Sequence, residues 1–187
     1  MIMAKLETYF KQSQPIGQYI DDMTVNKENV LSIYESFKLP NDDQRLKQLQ
    51  QSAYSKVLVI SEDWCGDAMM NLPILKRISE ELNWEVRVFH RDEDTDLIDQ
   101  YLTNGTSRSI PIFIFLNDNY EQETVWGPRA QIVQKFVDDV RSTHLPNKED
   151  ANYEDMLNET HVIISNRYKT DSTLWQAVYD SIITKLS

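Results

Sequence analysis

The sequence contains little cysteine, little glycine and no long apolar segment. Its single cysteine, Cys65, excludes an intrachain disulfide and any metal site built on several cysteine ligands, and it suits a reducing compartment. Four glycines in 187 residues argue against long flexible linkers, so we expect the whole chain to pack together. No run approaches the roughly 20 apolar residues that cross a bilayer.

Basic residues are also few. The first 14 residues contain only Lys5 and Lys11 as basic residues and no continuous apolar stretch, so they do not have the pattern of a signal peptide. We therefore expect a soluble, cytoplasmic protein. The chain has 19 lysines and arginines against 30 acidic residues, a formal net charge of −11. Because the basic residues are scattered, this charge argues against nucleic acid and against an anionic membrane surface as partners.

Residues 1–55 are typical of a helical extension. Apolar residues at helical spacing predict one helix that ends before Pro15 and a second across residues 30–37. Asn26 is the expected cap of the second helix. Asn41 begins a capping-box pattern that predicts a third helix.

Between residues 56 and 142 the pattern changes to alternating strands and helices. Residues 57–60 form a short continuous apolar run, typical of a strand buried on both faces, and residues 112–116 form a second. The predicted order is strand, helix, strand, helix, strand, strand, helix. A helical crossover makes the first two strands parallel, and a tight polar turn makes the last two antiparallel. The sequence therefore predicts a four-stranded mixed sheet with helices on both faces.

Residues 143–187 form a second helical extension. Pro146 and Asn147 interrupt the preceding helix, and a later amphipathic helix has Trp175 and Tyr179 on its apolar face. That face either packs on the central unit or contacts a partner. We expect both extensions to pack on the central domain.

Four sequence features of the central unit lie at defined positions relative to its predicted strands and helices. The segment Trp-Cys-Gly-Asp-Ala, residues 64–68, lies between the first predicted strand and its helix. Pro73 follows Cys65 by eight residues, inside that helix, where a proline costs of order 3 kcal/mol and indicates a structural reason for a kink. The dipeptide Ile110–Pro111 comes immediately before the third strand, and Gly127 follows the fourth strand.

This arrangement closely resembles the thioredoxin family, in which a Trp-Cys-Gly-Pro-Cys motif opens a proline-kinked helix and faces a loop with a cis-proline. The Glu-Asp-Trp-Cys-Gly-Asp start is similar to a bacterial branch of thioredoxin-like proteins in which aspartate follows the glycine. The resemblance covers residues 56–141. It implies a three-layer α/β fold, with the four-stranded mixed sheet and the two helical extensions, and a cis Ile110–Pro111 bond.

The resemblance also implies a site. Cys65 would be the catalytic thiol, and the backbone of Ile110 would be free to pair with an extended peptide beside it. The substrate or peptide groove would be formed by Trp64, Gly66, Asp67, Ala68, Ile110, Pro111 and Gly127. Trp126 could line the same groove or simply pack in the core.

Two local effects on the acidity of Cys65 oppose each other. A cysteine at the N-terminus of a helix lies at the positive end of the helix dipole, which favours the thiolate. Nearby carboxylates disfavour a thiolate. Three are close in sequence, namely Glu62, Asp63 and Asp67. We predict a thiol less acidic than the first cysteine of a typical member of this fold.

The sequence departs from the family pattern in two linked places. Ala68 stands where thioredoxins have the second, resolving cysteine, so a mixed disulfide at Cys65 cannot be released by an internal thiol. Val59 stands where the family has a buried aspartate that assists the resolving cysteine. The ordinary dithiol route of disulfide reduction is therefore excluded for this chain alone.

Two functions fit these residues. The first is a single-thiol redox protein in which Cys65 attacks a protein disulfide or accepts a small-thiol adduct by exchange with a small-molecule disulfide, and a protein or small-molecule thiol completes the exchange. The second is a redox-inactive protein-binding module that uses the groove at Pro111, with the extensions holding a partner or a second copy of the chain. Neither function requires a cofactor. No histidine has partners at metal-ligand spacing, so we expect no metal either.

Overall fold

The computed structural model of the protein describes residues 2–187, with side chains from residue 6 onward. Its strands are β1 (Gln14–Pro15), β2 (Lys56–Ser61), β3 (Glu85–His90), β4 (Ile112–Leu116) and β5 (Gln122–Trp126). Its helices are α1 (Ile2–Gln12), α2 (Ile16–Asp22), α3 (Lys27–Ser36), α4 (Gln44–Leu49), α5 (Gly66–Leu82), α6 (Thr95–Ile98), α7 (Gln131–His144), α8 (Tyr153–Thr170) and α9 (Ser172–Leu186).

The centre of the sheet is formed by β2 and β4, as their apolar runs predicted. Every side chain from Val57 to Ser61 and from Ile112 to Leu116 is buried, so both faces of the sheet are covered. The strand order is β1-β3-β2-β4-β5. β2 pairs in parallel with β3 and antiparallel with β4, and β4 pairs antiparallel with β5. The predicted mixed α/β fold is confirmed.

The sheet has a fifth strand that the sequence did not predict. Gln14 and Pro15 pair antiparallel with β3, with Gln14 opposite Val88. The expected count of four strands is therefore corrected to five. A two-residue strand is too short to show alternation, and its proline is more typical of a break. Proline is tolerated here because β1 lies at the edge of the sheet.

Two predicted helix caps differ in the structure. Asp43, rather than Asn41, caps α4, since its carboxylate accepts the backbone N–H of Arg45 at 3.0 Å. Asn26 precedes α3 as predicted, but its side chain donates to the carbonyl of Asp63 at 3.0 Å instead of capping the helix. This contact connects the N-terminal extension to the loop that precedes Cys65.

The C-terminal extension contains two helices, of which the sequence predicted only α9. Trp175 and Tyr179 are buried on α9. The buried residues of α8 are Thr160, Ile164 and Tyr168. Within residues 2–187, no helix combines the length and the apolar character that a membrane crossing requires.

A polar cluster ties the two extensions together. Asp43 accepts hydrogen bonds from Arg45 at 2.8 Å and from the hydroxyl of Tyr179 at 2.9 Å. Arg45 also pairs with Asp180 at 3.0 Å. The Arg45 guanidinium holds the pKa of Asp43 at about 2, below its usual range. Helices α4 and α9 are therefore joined by charged groups as well as by apolar packing.

Candidate functional site

Cys65 lies at the junction of β2 and α5, where it forms the N-cap of the helix. Its sulfur accepts the backbone N–H of Ala68 at 3.5 Å, and its S–H group donates to the carbonyl oxygen of Ile110 at 3.4 Å. The Ile110–Pro111 bond is cis, as predicted. The structure therefore brings the cysteine turn and the cis-proline loop together across 45 residues of sequence.

Gly127 packs directly against the cis-proline loop. Its φ angle of +128° lies in a region that residues with a side chain rarely adopt, and a Cβ atom here would come within 2.3 Å of the Pro111 carbonyl oxygen. Pro128 follows through a second cis bond. Its carbonyl accepts a hydrogen bond from the buried side-chain amide of Asn71, on α5, at 2.9 Å. Gly127 and Asn71 therefore fix the position of the loops beside Cys65.

Trp126 packs in the core and does not line a groove at Pro111. Its indole ring stacks on Phe113, with 5.1 Å between ring centres. Its Nε1–H group donates to the hydroxyl of Ser181, on α9, at 2.8 Å. Of the two alternatives for this residue, packing is correct.

The thiol of Cys65 is a weak acid. Burial raises its pKa to about 11, and the Asp67 carboxylate adds to the increase. The backbone N–H groups of Ala68 and Asp67 and the Arg129 guanidinium lower the pKa. The predicted low acidity is confirmed, but its main cause is the burial of the cysteine, which is 7% exposed.

The other two carboxylates near Cys65 in sequence bind different groups. Glu62 Oε1 lies 2.9 Å from His90 Nδ1. Asp63 accepts the backbone N–H groups of Thr24 and Val25 at 3.0 and 3.2 Å, which fastens the N-terminal extension to the cysteine turn. Asp67 is therefore the carboxylate of the three that acts most on the thiol.

Asp67 is the centre of a partly buried polar cluster. Its Oδ1 accepts hydrogen bonds from Arg129 Nε at 2.8 Å and from the Tyr168 hydroxyl at 2.7 Å. Burial and the Asp67 carboxylate both raise the pKa of Tyr168, so the phenol stays protonated and donates. The carbonyl of Tyr168 accepts the indole N–H of Trp175 at 2.7 Å. The cluster therefore fastens α8 to the first turn of α5, next to Cys65.

Two cavities open beside the Trp64–Cys65 turn. The larger, which we name the α8 cavity, has a volume of about 540 Å3 and lies between the first turn of α5 and helices α7 and α8. The smaller, which we name the proline groove, has a volume of about 190 Å3. Its walls include Trp64, Cys65, Arg91, Ser109 and Ile110.

The residues predicted to form one groove divide into two groups. Those that line a cavity are Trp64, Gly66, Asp67 and Ile110. Those that shape the turn and the loops without lining either cavity are Ala68, Pro111 and Gly127. Among the described residues, no group of three or more histidine, cysteine, aspartate or glutamate side chains is arranged to hold a metal ion.

A family model described as thioredoxin matches residues 13–141. The chain belongs to the thioredoxin-like family. The match begins well before residue 56, so it includes β1 and three helices of the N-terminal extension of this thioredoxin-like protein. No curated protein matches the sequence significantly.

Two solved structures share the fold of this thioredoxin-like protein. An HIV epitope scaffold aligns with a TM-score of 0.63 and 18% identity over 98% of both chains. A protein of unknown function from Pseudomonas aeruginosa aligns with a TM-score of 0.60 and 19% identity, over 87% of this chain and 96% of its own. At these identities the likeness shows the fold alone. With 98% of this chain covered, the alignment to the epitope scaffold includes both helical extensions.

The sequence analysis missed Arg129 and Tyr168, the two partners of Asp67 in this thioredoxin-like protein. Arg129 has no signal beyond its position two residues after Gly127. Tyr168 has one, because Thr160, Ile164 and Tyr168 recur every four residues and so share one face of a helix. That spacing could have predicted α8, but it could not have placed α8 beside Cys65.

Proposed function

We propose that this thioredoxin-like protein binds an extended segment of another protein in the proline groove and carries out no thiol-disulfide exchange. The proposal rests on the burial and the weak acidity of Cys65. The residue is 7% exposed, its S–H group donates to the carbonyl of Ile110, and its pKa is raised to about 11.

An inert thiol follows from the chemistry of exchange. The thiolate is the attacking species, and with this pKa only about one sulfur in ten thousand is ionised at neutral pH. The chain has no second cysteine, so an adduct formed at Cys65 has no internal thiol to release it. Both the first step and the last step of a redox cycle are therefore disfavoured.

The proline groove keeps features that suit a bound peptide. Trp64 is 51% exposed, and the Arg91 guanidinium lies 4.9 Å from the centre of its ring. Tryptophan and arginine are among the residue types that contribute most to protein–protein contacts. A carbonyl oxygen has two lone pairs, so Ile110 can accept from a bound backbone as well as from the thiol.

Single-thiol exchange is the second candidate, and one contact favours it. Cys65 accepts the N–H of Ala68 at the start of α5, which is the geometry that stabilises a thiolate. For exchange, the sulfur would have to become exposed, and a protein or small-molecule thiol would have to complete the reaction.

The rate of alkylation separates the two candidates. We expect native protein at pH 8 to react with iodoacetamide about 200-fold more slowly than protein unfolded in urea, because the native thiol has a pKa of about 11 and an unperturbed cysteine has a pKa of about 8.5. The native rate should still increase between pH 8 and pH 10. Cys65 is the only cysteine, so the label reports on one site, and Cys65→Ala is the blank. Equal rates in the two states, or a native rate that levels off below pH 8, would favour exchange.

Peptide binding tests the groove itself. Peptides are first selected from a random display library for binding to the full chain. Their affinity is then measured by titration against the natural chain and three variants. We expect Cys65→Ser to bind within about twofold of the natural chain, and Trp64→Ala to bind about tenfold more weakly. Leu31→Ala, which removes an exposed apolar side chain on α3, is the matched control. If Cys65→Ser loses all binding, or Trp64→Ala loses none, the proposed function is wrong.

A further inference from the structure

We infer that the α8 cavity binds a small molecule that carries a carboxylate or phosphate group, with Arg141 as the residue that pairs with the anion. This inference goes beyond the proposed function. The cavity shares Trp64, Cys65, Asp67 and Arg129 with the proline groove, but Arg141 and the residues of α8 line the α8 cavity and not the groove. The binding is noncovalent, and Cys65 forms no bond with the ligand.

The charges on the cavity wall favour an anion. The chain as a whole has a net charge of −11, yet this wall contains two arginines, Arg129 and Arg141, against one carboxylate, Asp67. That carboxylate already accepts hydrogen bonds from Arg129 and from Tyr168. The wall therefore has positive charge in excess, against the charge of the molecule around it.

Arg141 is the residue that points most clearly to a ligand. It is half-buried in the last turn of α7, and it makes no ion pair or side-chain hydrogen bond with any residue that the structure describes. Each of the other arginines donates to a carboxylate or a backbone carbonyl. A guanidinium has five N–H donors in a planar fork that matches a carboxylate or phosphate group, so an unpaired one on a cavity wall is suited to hold such a group.

The size and the apolar part of the wall define the rest of the ligand. A volume of about 540 Å3 lies within the usual range of small-molecule pockets. Trp64, Val25 and Ile164 contribute apolar surface to the same cavity. The ligand class is therefore a compact molecule with one anionic group and an apolar body.

Two aromatic anions serve as probes, with a neutral analogue beside them. Benzoate and phenyl phosphate are titrated into the full chain at constant ionic strength, and benzyl alcohol is the neutral control. Trp64 is half-exposed while the other three tryptophans are at most 8% exposed, so quenching by a bound probe reports mainly on Trp64. Trp64 lines both cavities, and the Arg141 variant assigns the response to the α8 cavity, because Arg141 lines that cavity and not the proline groove. We expect saturable quenching and a higher Tm with at least one anion and neither effect with benzyl alcohol. A response to benzoate alone identifies a carboxylate ligand, and a response to phenyl phosphate alone identifies a phosphate ligand.

A matched pair of variants tests the role of Arg141. Arg141→Gln should weaken binding of the responding probe about tenfold or more, because it removes a charge-assisted hydrogen bond. Lys135→Gln removes the same charge from the exposed side of α7 and should bind within about twofold of the natural chain. Both sites have solvent access, and circular dichroism confirms that each variant is folded. The inference is wrong if neither anion binds saturably, if benzyl alcohol binds equally well, or if both variants lose affinity to the same extent.

Discussion

Replacing Gly127 with alanine is expected to lower the free energy of unfolding by about 4 kcal/mol. Two effects add. The backbone has a φ angle of +128°, which strains any residue with a side chain, and the new Cβ atom would come within 2.3 Å of the Pro111 carbonyl oxygen. Because backbone atoms cannot rotate away as a flexible side chain does, the cis-proline loop or β5 must shift.

Urea denaturation measures this loss, and Gly17→Ala is its control. Gly17 lies in α2 with no atom within 4 Å of the position of an added Cβ atom, so alanine there should stabilise the chain by up to about 1 kcal/mol. Gly127→Ala should also increase the alkylation rate of Cys65, since Ile110 and Pro111 no longer hold their positions beside the sulfur. A Gly127→Ala chain as stable as the natural one would show that this close approach is not needed for the fold.

Replacing Asp67 with asparagine is expected to have the second largest effect, a loss of about 3 kcal/mol. The exposed fractions of the Arg129 and Asp67 side chains are 19% and 13%. The substitution therefore leaves a mostly buried guanidinium without its counter-charge. The same change should lower the pKa of Cys65, because the Asp67 carboxylate raises it.

Two measurements on the Asp67→Asn chain report these effects separately. Urea denaturation gives the stability, and the pH dependence of iodoacetamide alkylation gives the acidity of the thiol. Asp99→Asn breaks the ion pair with Arg108, whose side chains are 41% and 50% exposed, and should cost less than about 1 kcal/mol. An Asp67→Asn chain that loses no more stability than Asp99→Asn would contradict the structural role given to the cluster. An unchanged alkylation profile would contradict its electrostatic role.

The central fold could be predicted because its signals are local. The runs at β2 and β4 are short and apolar throughout, which is typical of a strand covered on both faces. The spacing of Cys65, Pro73 and Pro111 adds the order of the elements. β1 could not be predicted, because Gln14 and Pro15 pair with β3 through backbone groups that the side chains do not specify.

The chemistry of the site was harder to predict than its position. The sequence places three carboxylates near Cys65, but two of them bind residues of other elements. Asp63 accepts the backbone N–H of Thr24, and Glu62 lies within hydrogen-bond distance of His90. The burial that dominates the pKa of Cys65 depends on long-range packing. Tyr168 reaches Asp67 across 101 residues, and no local pattern around Cys65 indicates it.

The contact between Tyr168 and Asp67 also has a consequence for synthesis on the ribosome. Translation produces the segment from Lys56 to His144, with every strand from β2 onward, before it produces α8. Until Tyr168 has left the exit tunnel, the cavity beside Cys65 has no α8 wall, and Arg129 is the one partner of Asp67 already made. The α8 cavity, to which Cys65 contributes, therefore obtains its last wall only late in synthesis.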